Sequence, residues 1–307
     1  MMIKRLQYHE IDFGKYTQCL ENSQQRKYSA TKDFLDITSN KQWELLVYNN
    51  YEAVMPVPFV VKFGFKFVIN PKLCQQLGIF SPTDSVEINT EFLSYLQRNY
   101  LTRIYSFNDG NHFQIDLKKK KNYIIYPDSY ENVYSKYSPK RKRKLRSEIE
   151  ILNESEIKVI GFDDAQKFMQ ANLLGADKDS DIVDFIKLFK KLYLAGLVFF
   201  HAYYYKNKII NVIAVYSDEK TNALLGTFND KNYVKISGAS ILIDETIKKN
   251  INRKIFDFEG SELPNVEEFF RGFRPELKPF PVIGNSNKDL LLKLLNPKYL
   301  FKSLFKK

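Results

Sequence analysis

Residues 197–229 constrain the fold more than any other stretch of the chain. Three strand-like runs, Leu197–Tyr205, Ile209–Ser217 and Asn222–Asn229, are separated only by Lys206-Asn207-Lys208 and Asp218-Glu219-Lys220. Runs rich in β-branched and aromatic residues with joints that short pair as consecutive antiparallel hairpins. Before them, EIKVIGF reads as a strand, and Asp163–Leu174 and Asp181–Leu194 carry helical apolar spacing with acidic starts. After them come a helix from about Gly238 to Asn250, a strand Phe256–Glu259, a short aromatic helix, and a last strand near Lys278–Ile283. The order is strand, two helices, three antiparallel strands, helix, strand, helix, strand. It predicts a mixed sheet covered by helices, in the α/β (α+β) class.

The first half repeats this order more loosely. Met1–Tyr8 reads as a strand and Tyr16–Ile37 as mostly helical. Trp43–Tyr48 and Tyr51–Val61 form a hairpin around Asn49-Asn50, where Pro56 and Pro58 point to an edge strand or a bulge. Asp84–Asn99 reads as a helix, and Arg103–Phe107 and His112–Leu117 as strands. A length of 307 residues suits two domains, each with its own core. Two halves with one element order suggest a tandem duplication, with one large α/β domain as the alternative. The expected boundaries are 1–125, a basic inter-domain helix over 126–154, a second domain over 155–287, and a basic tail over 288–307.

Composition excludes several classes. An apolar content of 44% with 15% aromatics is that of a globular chain. No run approaches the ~20 apolar residues of a membrane span, and MMIKRLQYHE lacks a signal-peptide core. Cys19 and Cys74 are too few for a disulfide framework, so a reducing cytoplasm is the expected location. His9, His112 and His201 are isolated, and no spacing reads as a metal site.

The net charge of +11 is unevenly placed. Lys118 to Arg146 holds eleven Lys/Arg against Asp128 and Glu131, and Lys288 to Lys307 holds six Lys against Asp289. Two such patches point to an anionic partner. Ser138 caps a helix with Pro139 at its first position. On it Arg141, Leu145 and Ile149 share one face, while Lys140, Arg143, Lys144 and Arg146 are the other anion-binding candidates; a solvated linker helix is the alternative. In the tail, Asn296-Pro297 opens a helix mixing Tyr299, Phe301 and Phe305 with lysines, suited either to an anionic membrane surface or to packing on its own domain.

The segment Phe256–Pro281, FDFEGSELPNVEEFFRGFRPELKPFP, concentrates the chemistry. Asp257 and Glu259 alternate to one side of a strand that breaks at Gly260-Ser261, a small-residue turn that lets a ligand approach backbone closely. Its wording resembles the FemAB-like branch of the GNAT acyltransferases. Trp43-Glu44-Leu45, Val54–Pro58, Gln75–Ser81, Tyr137–Arg146 and Gly226–Gly260 extend the resemblance over most of the chain.

That resemblance implies tandem GNAT-like domains, each a mixed, mostly antiparallel sheet under helices. It also implies transfer of an acyl or aminoacyl group to an amine, forming an amide. Such a reaction needs a proton acceptor and an oxyanion donor, and no covalent nucleophile. Glu259 is the candidate for proton transfer, Arg271 for clamping a carboxylate or phosphate, and Asp257 for orienting a neighbour; each also has a structural reading. The peptidoglycan branch carries Phe-Lys in its last helix, whereas this chain has Phe269-Phe270 and then Arg271. Acetyl-CoA-dependent members carry a Q/R-x-x-G-x-G/A loop, and here Lys235, Ser237, Gly238, Ala239 and Ser240 stand in a degenerate version. Substrate-side candidates are Trp43, Gln75, Gln76, Asn229, Ser261 and Phe270.

Three readings follow. The first is an N-acyltransferase using an acyl-CoA donor and a small-molecule or peptide amine. The second is a Fem-type aminoacyltransferase, with tRNA on the 118–146 patch and a peptidoglycan-like precursor as acceptor. The third is a non-catalytic binding protein on a decayed fold.

Overall fold

The computed structural model describes residues 3–146, 149–172 and 179–296. The chain divides into two compact units, Met1–Lys120 with Pro279–Lys307, and Lys121–Lys278. Along the first unit run β1 (Ile3–Leu6), α1 (Phe13–Asn22), α2 (Lys32–Ser39), β2 (Trp43–Tyr48), β3 (Ala53–Lys62), β4 (Phe65–Ile69), α3 (Val86–Asn99), β5 (Leu101–Ser106) and β6 (Lys118–Lys120). The second unit holds β7 (Tyr123–Ile125), α4 (Tyr130–Lys136), α5 (Pro139–Leu145), α6 (Ile149–Asn153), β8 (Ser155–Ile160), α7 (Phe162–Asn172) and α8 (Asp179–Leu194). It continues through β9 (Val198–Tyr205), β10 (Lys208–Ser217), β11 (Thr221–Asn229), α9 (Gly238–Asn250), β12 (Ile255–Asp257), α10 (Pro264–Arg271) and β13 (Glu276–Leu277). The chain then returns to the first unit as β14 (Phe280–Gly284) and α11 (Asn287–Leu294).

Each unit is built on a seven-stranded sheet, in the orders β1-β2-β3-β4-β5-β14-β6 and β13-β7-β12-β11-β10-β9-β8. Among the described residues, only β4–β5 and β11–β12 pair in parallel, and the other neighbours are antiparallel. The expected class, two mixed and mostly antiparallel sheets under helices, is what the chain adopts.

The domain boundaries differ from those expected. The last strand does not complete the second sheet: Val282 faces Ser106 of β5 on one side and Lys118 of β6 on the other. Tyr123–Ile125, by contrast, joins the second sheet beside β12. His112–Leu117 forms no strand; the strand begins at Lys118. Ile149 does not share a helix face with Arg141, because α5 ends at Leu145 and Ile149 opens a separate helix, 76% exposed. The prolines of β3 lie where that strand has β2 as its ladder partner, since β4 pairs only from Phe59 onward. There the missing N–H groups cost no ladder bond. The tail helix expected from Asn296-Pro297 falls outside the described residues.

Alternation along β9 separates two cores in the second unit. Phe200 faces α7 and α8, where it meets Phe162 and Phe189. On the other face Tyr203, Ile213, Val215 and Leu224 pack with Leu242 and Ile243 of α9, Tyr137, and the aromatic group Phe256, Phe258, Phe270 and Phe273.

Candidate functional site

In the second sheet, β11 and β12 are in register from Thr221↔Ile255 to Ala223↔Asp257, and β11 then runs on to Asn229 with β10 as its only ladder partner among the described residues. The two strands thus part company. Just beyond the divergence the β10 register skips from Ala214↔Gly226 to Val215↔Leu224, leaving Leu225 as a bulge on β11. A bulge leaves backbone unpaired and re-aims it locally.

A loop from the end of β11 leads into α9. A 3-10 turn, Lys231–Ile236, is followed by Ser237 at φ 63° and ψ 25°, a left-handed residue ahead of Gly238. A right-handed residue followed by a left-handed one turns successive amides toward a common anion-binding concavity. The amides of Gly238 and Ala239 open the helix without intrahelical acceptors, at the positive end of its dipole. Lys235 is exposed beside them. The Ser237 amide donates to the Val234 carbonyl at 3.3 Å, and the sequence of the loop matches the expected motif poorly. Gly238 is required by packing, because a Cβ there would come 2.0 Å from Asn211 Oδ1. Asn211 Nδ2 in turn donates to Asn229 Oδ1 at 2.7 Å, so Asn229 positions Asn211 against the helix start.

Arg141 is the least expected residue of the site. It belongs to the basic run but is only 4% exposed. Ser138 caps α5 by accepting from the Arg141 amide at 3.1 Å, and the helix turns the Arg141 side chain inward. Its guanidinium donates to the Ser240 hydroxyl in the first turn of α9 and, at 2.7 Å, to the Phe269 carbonyl in the last turn of α10. It lies between the Phe269 and Phe273 rings, 4.4 and 4.2 Å from their centroids, and Gly272 backs onto it. The α10 carbonyl and two ring faces favour a cation there, whereas the α9 N-terminus opposes one. No carboxylate among the described residues forms an ion pair with it, and its Nε–H has no acceptor. Burial pushes its pKa down to about 10.

The Arg141 charge is felt by Asp244, whose carboxyl is raised by burial and whose Oδ2 accepts from Tyr130 at 2.9 Å. The Tyr137 hydroxyl lies close as well, yet neither it nor Asp244 Oδ1 completes a hydrogen bond of good geometry. Tyr130, Tyr137, Asp244, Tyr203 and Asn211 escaped the sequence reading. The one available signal was Asp244 on the inward side of a strongly apolar helix.

The FDFEGS turn behaves differently from a pair of parallel carboxylates. Asp257 is 4% exposed, and its Oδ1 accepts from Asn122 at 3.0 Å and from the Glu259 amide at 2.9 Å. It therefore fixes the turn. Glu259 is half-buried at φ 59°, followed by Gly260 at φ 55°. A glutamate held in the left-handed region is strained, a state that persists where surroundings over-determine it. Ser261 accepts from the Leu263 amide at 3.1 Å, and Phe270 is a core residue stacked on Phe258 at 5.0 Å. Arg271 is exposed at the end of α10. It sits near Glu267, which pairs with Lys121 at 2.9 Å and accepts from the Tyr123 hydroxyl at 2.7 Å. Burial and that contact push the Tyr123 hydroxyl up to about 12.

On α5, Lys140 pairs with Glu268 at 3.2 Å, and Arg143, Lys144 and Arg146 are exposed. The Lys144 amine is pushed down by partial burial and by Arg141 and Lys140. The first unit's candidates hold that unit together. Trp43 is 1% exposed, packs against Tyr8, Phe13 and Tyr16, and donates to Asp36 at 2.8 Å. Gln76 joins two loops by accepting from the Asp109 amide at 3.0 Å and donating to Gln75 at 3.1 Å. No group among the described residues could hold a metal ion, and no helix among them is long and apolar enough to cross a membrane.

No family model matches the sequence, and neither does any curated protein. Among solved structures the chain is similar to FemX, with a TM-score of 0.63 at 8% identity over 95% of this chain and 99% of that one. It is also similar to a conserved protein of unknown function from Bacteroides thetaiotaomicron VPI-5482, with a TM-score of 0.56 at 10% identity over 92% and 100% of the two chains. A third likeness is to the C-terminal DUF2156 domain of a putative lysylphosphatidylglycerol synthetase from Agrobacterium fabrum, with a TM-score of 0.51 at 10% identity over 92% and 97%. At these identities the likeness is one of fold. The FemAB-like fold inferred from the motifs is borne out at that level.

Proposed function

We propose that the protein is an acyltransferase that forms an amide on an amine acceptor, taking the acyl group from a CoA-type donor in the second unit. One observation carries this reading: β11 and β12 separate after Ala223 and Asp257, and α9 begins beyond the gap with a left-handed turn at Ser237. The amides of Gly238 and Ala239, with Lys235 beside them, suit the diphosphate of such a donor. The bulge at Leu225 supplies unpaired backbone for the oxygen of a tetrahedral intermediate. Glu259, at the end of β12, takes the ammonium proton, directly or through water. The donor when bound supplies an activated acyl carbon and a thiol leaving group. Asp257 and Asn122 set the turn that presents Glu259.

A second reading, an aminoacyl-tRNA donor, is favoured by the exposed Arg143, Lys144 and Arg146 on and just beyond α5. The deciding experiment is thermal stabilisation by acetyl-CoA, longer acyl-CoAs and bulk aminoacylated tRNA at two salt concentrations. A ligand at a hundredfold excess over its Kd adds ~2.7 kcal/mol of apparent stability. A shift with an acyl-CoA that disappears in Lys235→Glu supports the first reading. A shift with tRNA alone, weakening steeply with salt, replaces it with the second. No shift with either class overturns both and favours a binding protein on this fold.

A further inference from the structure

The strand β8 forms an edge of the second sheet: β9 lies on one side of it, and no strand among the described residues pairs with the other. A free edge presents a row of unpaired N–H and C=O groups, which natural chains blunt with charge, brevity or cover. The other edges of the two sheets follow that rule. β6 is Lys118-Lys119-Lys120, β1 carries Lys4 and Arg5 side by side, and β13 has two residues. By contrast β8, SEIKVI, is six residues long and carries one acid and one base. These are Glu156 and Lys158, both exposed and paired with each other at 2.7 Å. Its β-branched Val159 is 64% exposed.

Alternation sorts the residues of β8 by face. Ile157 and Val159 point toward α9, where with Phe199 and Leu242 they line a cavity of ≈ 170 Å³, so α9 leaves this end of the sheet partly uncovered. Glu156 and Lys158 point to the other face, and Lys158 lies 5.2 Å from the centre of the Tyr204 ring. The helix that leads into β8, α6, leaves Leu152 51% exposed as well. The edge therefore combines open backbone, an apolar row and a charged row of both signs. A lysine alone protects an edge, as in β6. An acid and a base two residues apart instead match an antiparallel copy of the same strand.

We propose that β8 is the interface of a homodimer, in which a second copy adds its own β8 antiparallel about a twofold axis at Ile157. In that register Glu156 stands opposite Lys158 of the second copy and Lys158 opposite its Glu156, while Ile157 meets Ile157 and Ser155 meets Val159. Directly opposite residues share a face, so Ile157 and Val159 of both chains form one apolar row on the α9 side, and two ion pairs close the other side. The same operation sets Lys4 against Arg5 in β1 and lysine against lysine in β6, so those edges repel a twin. An unrelated extended peptide would use the open backbone but leaves the order of the charges unexplained. The interface is independent of the acyl-transfer reading.

The test is sedimentation velocity of the full chain over a concentration series at low and moderate salt. The parent is expected to show a reversible monomer–dimer equilibrium that weakens with salt. Glu156→Lys and Lys158→Glu each turn two attractive cross-strand pairs into two repulsive ones, and each is expected to dimerise about tenfold more weakly. Both positions are exposed, so these variants fold, which far-UV circular dichroism checks. Mixed in equal amounts, the two variants pair with each other, lysine-bearing strand against glutamate-bearing strand, and recover the parental affinity. The reversed double variant Glu156→Lys/Lys158→Glu dimerises as the parent does. A parent that stays monomeric throughout, as it does if the edge serves a foreign peptide or solvent alone, overturns the proposal. So does a dimer indifferent to both single variants, or a pair of single variants that does not recover on mixing.

Discussion

Replacing Gly238 by alanine separates two explanations of the small residues that open α9. A Cβ at this position would meet Asn211 Oδ1 at 2.0 Å, Asn211 Cγ at 2.9 Å and Tyr203 Cδ1 at 3.1 Å. Neither neighbour is a loose surface chain, since Asn211 and Tyr203 are 4% and 2% exposed. Overpacking of this kind costs about 1–3 kcal/mol. Moving Asn211 also breaks its 2.7 Å bond to Asn229, leaving a half-buried acceptor at a further cost of about 1 kcal/mol. The better helix propensity of alanine returns ~1 kcal/mol at most. The expected result is a loss of about 2 kcal/mol, seen as a fall of about 1 M in the urea midpoint followed by far-UV circular dichroism. Truncating the obstacle in Gly238→Ala/Asn211→Ala recovers part of the loss, giving a coupling of about 1 kcal/mol or more. An alanine variant as stable as the parent, or an additive cycle, refutes the packing argument. A stable variant with weakened donor binding shows instead that the glycine serves ligand approach.

Glu259→Gln is expected to cut amide-forming turnover about a hundredfold or more, and full turnover in this variant removes Glu259 from the reaction. Glu259→Gly relieves the left-handed backbone by about 1 kcal/mol while losing the same turnover, so a stabilised but inactive chain separates strain from chemistry. Arg141→Met leaves the Phe269 carbonyl with only its 3.3 Å bond from the Gly272 amide and lowers stability by about 1–3 kcal/mol. Arg141→Lys does not restore it, because an ammonium lacks the flat fork that reaches Ser240 and Phe269 from between two rings; a lysine variant of parental stability contradicts this. Glu44 tests pH linkage in the first unit. Burial alone would raise its carboxyl, but bonds to Arg5 and Lys66 outweigh that and hold it below the ordinary 4.5. A lowered carboxyl stabilises fully above its unfolded pKa and loses that contribution as pH falls through the folded one. Stability reported by Trp43 fluorescence is therefore expected to drop below pH 4.5, and an acid limb unchanged in Glu44→Gln refutes the assignment.

The sequence made the local elements plain. Gly238–Asn250 was readable to its ends because a small-residue start and a terminal Lys-Lys-Asn bracket an apolar repeat. The Ser138 cap and its proline were likewise visible. What escaped depends on distant partners. Three-residue strands such as Lys118–Lys120 carry no periodicity and read as charge. The left-handed conformation of Ser237 at the start of α9 is likewise not encoded in a residue pattern. The sequence reads Arg141 as an anion-binding candidate sharing a helix face with Leu145 and Ile149, with a solvated linker helix as the alternative. Its burial follows from aromatic residues some 130 positions later, Phe269 and Phe273. Sequence spacing placed Asp257 beside Glu259 as a functional pair, but the hydrogen bonds to Asn122 and the Glu259 amide make it the residue that shapes the turn.

The position of β14 has a consequence for how the chain is made. In the first sheet β6 is joined to β5 only through β14, so the strand at 118–120 has no neighbour there until 280–284 has been synthesised. The second unit, by contrast, is one uninterrupted segment. Domains usually complete in the order they leave the ribosome; here the segment that emerges first is the one that must wait. A nascent chain arrested after residue 278 would carry a finished second unit and an open edge at β5, exposed to whatever binds unpaired strands, until residues 280–284 arrive to close it.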